Sequence, residues 1–262
     1  MNYTLALTAA LLMCTSLLLS QPGSGLNETD QNGRKQGHWI KKHPDGRILY
    51  DASFRDNIPV GEFKRYNPDQ TLRSVLIYSN NGTEADASIY HSNGYLAAKG
   101  KYINKNKEGI WQFFSEFTEN YKVSEEAYSG NMRNGKSVKF YPDGKIAEMK
   151  TFVNDTAKGE WVKYHPNGNL SLQSSFTDGR LDGKFESWFE SGNIQFSGTY
   201  KNEKRDGIWL IYNRDGKLNY RIEYKMGVTK DKQMDIDSAD YLDKMEAKKG
   251  SMPDPEKTGE IW

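Results

Sequence analysis

The sequence is almost without cysteine: Cys14 is the one copy in 262 residues. It lies inside the leading apolar stretch, so a chain that has shed that stretch uses neither disulfides nor thiol chemistry. Charge of one sign is missing as well. The 36 basic residues stand against 35 acidic ones, a net charge of +1. Such a balance excludes a general attraction to nucleic acid and gives a membrane surface no electrostatic hold. Apolar residues make up only 36% of the chain, too few for the Leu/Ile/Val-rich core of an ordinary thick domain. Long apolar runs are also lacking: residues 5–19 carry no charge but number only 15. That length suits a signal-peptide core and is short for a membrane span.

Residues 1–20 therefore read as a signal peptide cleaved after Ser20, although no Lys or Arg precedes the apolar run. The expected location is exported: periplasmic, outer-membrane-associated or extracellular. A lipid anchor on Cys14 is disfavoured, because Met13 is bulky where a small residue is needed.

What the chain does have is glycine and aromatics, with 24 Gly, 16 Tyr and 6 Trp, and they recur. Aligning Gly37, Gly61, Ala85, Gly109, Gly135, Gly159, Gly183 and Gly207 as position zero gives spacings of 24 residues throughout, except 26 in the fourth copy. Position two holds Trp39, Phe63, Trp111, Trp161, Phe185 and Trp209, with Ala87 and Ser137 as exceptions. Position five holds Tyr66, Tyr90, Phe114, Phe140, Tyr164, Trp188 and Tyr212, with Lys42 in the first copy. Position nine holds Gly46, Gly94, Gly144, Gly168, Gly192 and Gly216, and position eleven is Leu or Ile in seven copies. Position seventeen, allowing for the insertion, is aromatic in all eight: Phe54, Tyr78, Tyr102, Tyr128, Phe152, Phe176, Tyr200 and Tyr224. Chance produces that last column on the order of once in 10⁷.

Each copy reads as a β-hairpin. Segments such as Tyr164-His165-Pro166-Asn167-Gly168 supply the proline, Asp/Asn and left-handed glycine of a tight turn with a bulge. This turn sets position five opposite position eleven, with positions thirteen and seventeen expected on the same face. Strand alternation then sends the position-two Trp to the other face unless a bulge intervenes. The predicted fold is all-β: an elongated, single-layer antiparallel array of about eight hairpins over residues 35–228. Since one hairpin is marginal in water, stacking of neighbours is itself the folding requirement. Residues 21–34 are expected as a linker, and 229–262 as a short capping helix (Ser238 as N-cap, Gly250 as stop) with an extended tail.

The unit G-x-W-x-x-Y-x-P-D/N-G-x-L followed by an aromatic resembles the MORN-repeat variant of bacterial proteins labelled YwqK-type antitoxins of toxin–antitoxin systems. It is clearest at 158–170, 182–194 and 206–218. The resemblance implies hairpin arrays used in protein–protein or membrane-surface association and, for the antitoxin-labelled members, neutralisation of a toxin. Ala85 and Ala87 depart from the pattern, as does the fourth copy, where Pro-Asp-Gly is lost between Glu116 and Lys122. An irregular tip, and a distinctive contact point, is expected there.

Chemistry-bearing residues follow the repeat. His43, His91 and His165 share position six, and repeat-equivalent residues are spread along an array where metal ligands must converge. Asp45, Asp69, Asp143 and Asp215 are turn residues before they are catalytic carboxylates. No catalytic, metal or cofactor site is expected, and no small-molecule ligand. The residues singled out are those of the repeat itself: Gly37, Trp39, Gly61, Tyr66, Trp111, Gly159, Trp161, Tyr164, Gly168, Gly183, Trp188, Gly192, Gly207, Trp209, Tyr212 and Gly216. The function expected is a non-enzymatic, exported protein-binding or scaffolding module at the bacterial envelope. Two alternatives are a toxin-neutralising antitoxin or immunity protein, and a cell-wall carbohydrate-binding module that uses the ring rows as a stacking ladder.

Overall fold

A computed structural model describes residues 25–229; the expected signal peptide and the expected C-terminal helix and tail lie outside the described residues. The eight hairpins are β2 (Lys35–Lys42) with β3 (Ile48–Arg55), β4 (Ile58–Tyr66) with β5 (Leu72–Ser79), β6 (Glu84–Tyr90) with β7 (Leu96–Ile103) and β8 (Asn106–Phe114) with β9 (Lys122–Ser129). There follow β10 (Met132–Phe140) with β11 (Ile146–Val153), β12 (Thr156–Tyr164) with β13 (Leu170–Thr177), β15 (Gly183–Trp188) with β16 (Ile194–Lys201), and β17 (Lys204–Tyr212) with β18 (Leu218–Tyr224). A two-residue strand, β14 (Arg180–Leu181), precedes β15. All pair antiparallel in meander order within one open sheet.

Two kinds of turn drive the period. Within a copy, the proline turn closes as expected: His43 N–H donates to Arg47 O at 2.8 Å, Gly46 N–H to His43 O at 2.9 Å, and Gly46 takes φ +88°. Position five then opposes position eleven in every copy, as in Tyr66↔Leu72 and Tyr212↔Leu218. Between copies, two residues with φ > 0 at both places make the tight return, as at Asp56-Asn57, Asn104-Lys105 and Asn202-Glu203.

Position zero has a role that the turn chemistry did not reveal. Gly61, at φ +65°, lies where the β3–β4 register jumps from Ala52↔Phe63 to Ser53↔Val60. It makes a bulge of two extra residues, and the same jump recurs on β7–β8, β9–β10, β11–β12 and β16–β17. The third copy is the control. Ala85 is not left-handed, β5–β6 pair without a jump, and the two residues reappear in a longer return built on the 3₁₀ turn Asn80–Gly82. Bulge plus short turn and long turn without bulge give the same downstream register, which is why the 24-residue spacing survives.

The registers also correct the expected assignment of faces. Positions zero, two and four stand opposite seventeen, fifteen and thirteen, as in Gly37↔Phe54, Trp39↔Ala52 and Lys41↔Tyr50. These six positions therefore share one face, here the ring face. The turn bulge between positions four and five puts five and eleven on the opposite face. Position seventeen thus joins the Trp of position two, and not the Tyr of position five.

The stretch read as a linker contributes β1 (Glu28–Thr29), which pairs with the outer edge of β2. The Asn27 side-chain amide both donates to Ile40 O (3.1 Å) and accepts from Ile40 N–H (2.8 Å), imitating a neighbouring strand.

Candidate interaction surfaces

The ring face is interior. Trp111, Trp161 and Trp209 are buried, as are Phe63 and Phe185, each against position-seventeen rings. Trp209 meets Tyr200 edge-on at 5.0 Å and Tyr224 at 6.4 Å; Trp111 meets Tyr102 at 4.8 Å. The indole N–H of Trp111 donates to Lys101 O (3.2 Å) and that of Trp209 to Thr199 O (3.1 Å). Opposite these two rings position fifteen is glycine. A Cβ on Gly100 or Gly198 would sit 2.4 or 2.3 Å from the ring, so the Trp lies directly on the neighbouring backbone. Cations close over the rings from two places before position zero: Lys35 over Trp39, Tyr50 and Phe54, Lys107 over Trp111 and Tyr128, and Arg205 over Trp209 and Tyr224. A sugar-stacking ladder needs open ring faces, and Trp111, Trp161 and Trp209 offer none. The sequence signal for this lid was a Lys or Arg two places before the glycine in four copies, which the alignment on rings and glycines passed over.

The turn edge is a ladder of side-chain-to-backbone bonds. Nε2–H of His91 donates to Phe114 O (3.2 Å) and that of His165 to Trp188 O (2.8 Å), each reaching the next copy. Tyr141 takes the same place in the fifth copy, its hydroxyl donating to Tyr164 O at 2.7 Å. Among the described residues no His, Cys, Asp or Glu group converges as a metal site. Asp45, Asp69 and Asp143 each accept the backbone N–H two residues on, at 2.9–3.1 Å. The Arg47 side chain and backbone N–H together lower the Asp45 carboxyl to about 2. Thr71 and Lys145 lower Asp69 and Asp143 in the same way. In the eighth copy Asn213 caps the turn, accepting from the N–H groups of Asp215 and Lys217. Tyr66, Tyr164, Trp188 and Tyr212 line the opposite face near this edge, half-buried.

The ring face is interrupted once. In the fifth copy positions two, four, thirteen and fifteen are Ser137, Lys139, Glu148 and Lys150, flanked by Glu126, Ser124 and Lys163, while position seventeen keeps the buried ring of Phe152. Glu148, only 9% exposed, accepts the Trp161 indole N–H at 2.7 Å and lies 3.2 Å from Lys150 and 3.4 Å from Lys139. Burial pushes its carboxyl up. Lys150, Lys139 and Lys163, with the indole bond, outweigh burial and hold it below its ordinary value. This polar seam separates a cluster containing Ala52, Leu76 and Trp111 from one containing Trp161, Phe196 and Trp209.

The opposite face keeps its middle positions in solvent. Ile77 and Ile110, 54% and 56% exposed, line a groove of 440 Å³ with Val75, Asp86, Lys99 and Lys101. An equivalent groove of 400 Å³ farther along is lined by polar and charged side chains, including Glu160, Gln173, Lys184 and Glu186. The irregular tip expected in the fourth copy is present between Phe114 and Lys122, and Phe117 projects from it at 81% exposure.

A family model described as the MORN repeat variant matches residues 133–154, 158–178, 181–202 and 205–226, which are copies five to eight. Over residues 133–226 the chain carries four consecutive MORN repeats of the variant class. The four matched units each keep the position-zero glycine. No curated protein matches the chain. Among solved structures, the crystal structure of TcdB2-TccC3-TEV aligns over 76% of this chain at 10% identity and a TM-score of 0.21. The chain spans 14% of the length of that protein. At that score the likeness says nothing of function.

Proposed function

We propose that this MORN-repeat array is an exported, non-enzymatic protein-binding module whose partner docks on the face opposite the rings. One observation carries the reading: aromatic side chains of positions two and seventeen are consumed in the core, whereas the other face leaves Ile77, Ile110 and Ile208 in water. Exposed aliphatic positions set among charges, on a backbone braced at both turn edges, suit a preorganised protein interface. A MORN array suggests the same class of use.

The test is affinity purification of tagged protein from its native envelope, wild type beside Ile110→Asp, with mass spectrometry of what is retained. One stoichiometric protein lost on substitution supports the reading. Retention of that protein by Ile110→Asp at wild-type level contradicts it, as does recovery of wall fragments in place of protein.

A further inference from the structure

We infer that the chain binds copies of itself head to tail, the fourth-hairpin tip of one copy seating Phe117 in the groove between Ile77 and Ile110 of the next. This rests on the reading of the opposite face as the docking face, and names its occupant.

The tip is pinned from several sides. Ser115 N–H donates to Tyr121 O (2.9 Å), and Ser115 Oγ accepts from the N–H groups of Phe117 and Thr118, both at 3.1 Å. Asn93, on the preceding hairpin, donates to Glu116 O at 2.8 Å, and the Tyr121 hydroxyl donates to Phe140 O on the following one at 2.7 Å. A braced ring held in water loses little freedom on docking, so its apolar area is available for binding. No comparable side chain projects from the turns of the other hairpins among the described residues: Phe117 is the most exposed large apolar residue.

Chemistry selects the socket. The tip carries Glu116 and Glu119 and no basic residue between 115 and 121. The groove beside Ile77 and Ile110 has apolar walls and a rim balanced in charge, Lys99 and Lys101 against Asp86 and Glu84, the last 3.0 Å from Lys101. The second groove presents Glu160 and Glu186 against Lys184 and has no large aliphatic wall, so an acidic aromatic tip is repelled there. Knob and socket are different surfaces of the same chain. Engaged head to tail, each contact leaves a free knob at one end and a free socket at the other.

Sedimentation velocity of the purified chain, from about 1 µM to about 1 mM, tests this. The expected result is a sedimentation coefficient that rises with concentration. Phe117→Ala and Ile110→Asp each weaken association at least tenfold while keeping the circular dichroism of the wild-type fold, because both side chains are exposed. An equimolar mixture of the two variants regains dimers, since each supplies the half the other lacks. A chain that is monomeric throughout overturns the inference, as do variants that associate like wild type or a mixture that gains nothing. A monomeric chain that still captures an envelope protein through Ile110 refutes self-association alone and leaves the docking face standing.

Discussion

Copies two to four and copies six to eight bury apolar rows on the ring face, whereas copy five, on the same backbone, buries charge. Trp111 lies on Gly100 and Trp209 on Gly198, but between Trp111 and Trp161 the row runs Glu126, Ser137 and Lys150. Copy five nonetheless keeps its proline turn, its left-handed Gly135, its bulge and its register. The lesson is that turns and bulges specify the hairpin, while rings decide which hairpins fold together. A polar link in a linear array weakens coupling between its neighbours, because stability there is a sum of nearest-neighbour terms.

The comparison can be broken most severely at the tryptophans. Trp111→Ala and Trp209→Ala should each cost about 3–5 kcal/mol, in line with truncation of a buried ring. Hydrogen exchange should show the loss confined to the substituted block, with the other block protected as before. Gly198→Ala should follow at about 1–3 kcal/mol, since its methyl must displace Trp209 while its backbone is not left-handed. Chemical denaturation reads that change; an unperturbed midpoint would mean that the ring does not lie against this backbone.

The seam responds to acid. Glu148 titrates below its ordinary value in the folded chain, so it contributes stability that is full above the unfolded pKa and is lost as pH falls through the folded value. Glu148→Gln should cost about 1–2 kcal/mol near neutrality, a modest figure because Lys139 and Lys150 are partly solvated. It should also flatten the dependence of seam exchange on pH below about 4.5. The smallest change has the opposite sign. Ser187 Oγ is fully buried without a hydrogen-bond partner, and Ser187→Ala should raise the thermal midpoint by an amount equivalent to about 1 kcal/mol.

Much of this was legible in the residues. Rings and glycines gave the period, Pro-Asp/Asn-Gly in copies one, five and six gave the turn and its five-to-eleven pairing, and the lost triplet together with the two-residue insertion marked the fourth-copy tip that bears Phe117. The faces were not legible, because parity cannot be counted through a bulge: every copy has one at its turn, and five of the eight have a second at position zero. A mid-strand glycine in seven of eight copies was the available sign of one of them. A return turn was legible at Asp178-Gly179, both at positive φ; elsewhere Asn-Lys and Asn-Glu do not advertise two left-handed residues as Asn-Gly does. The seam escaped because Lys139, Glu148 and Lys150 look like surface until strand pairing shows what each one opposes.

Amide hydrogen exchange, resolved along the sequence, speaks most directly to the division of the array. Slow exchange across β4–β8 and again across β12–β17, with β10 and β11 opening while both flanks stay closed, is the pattern expected of two ring stacks joined by charge. Uniform protection from β4 to β17, lost in a single cooperative step, would contradict it.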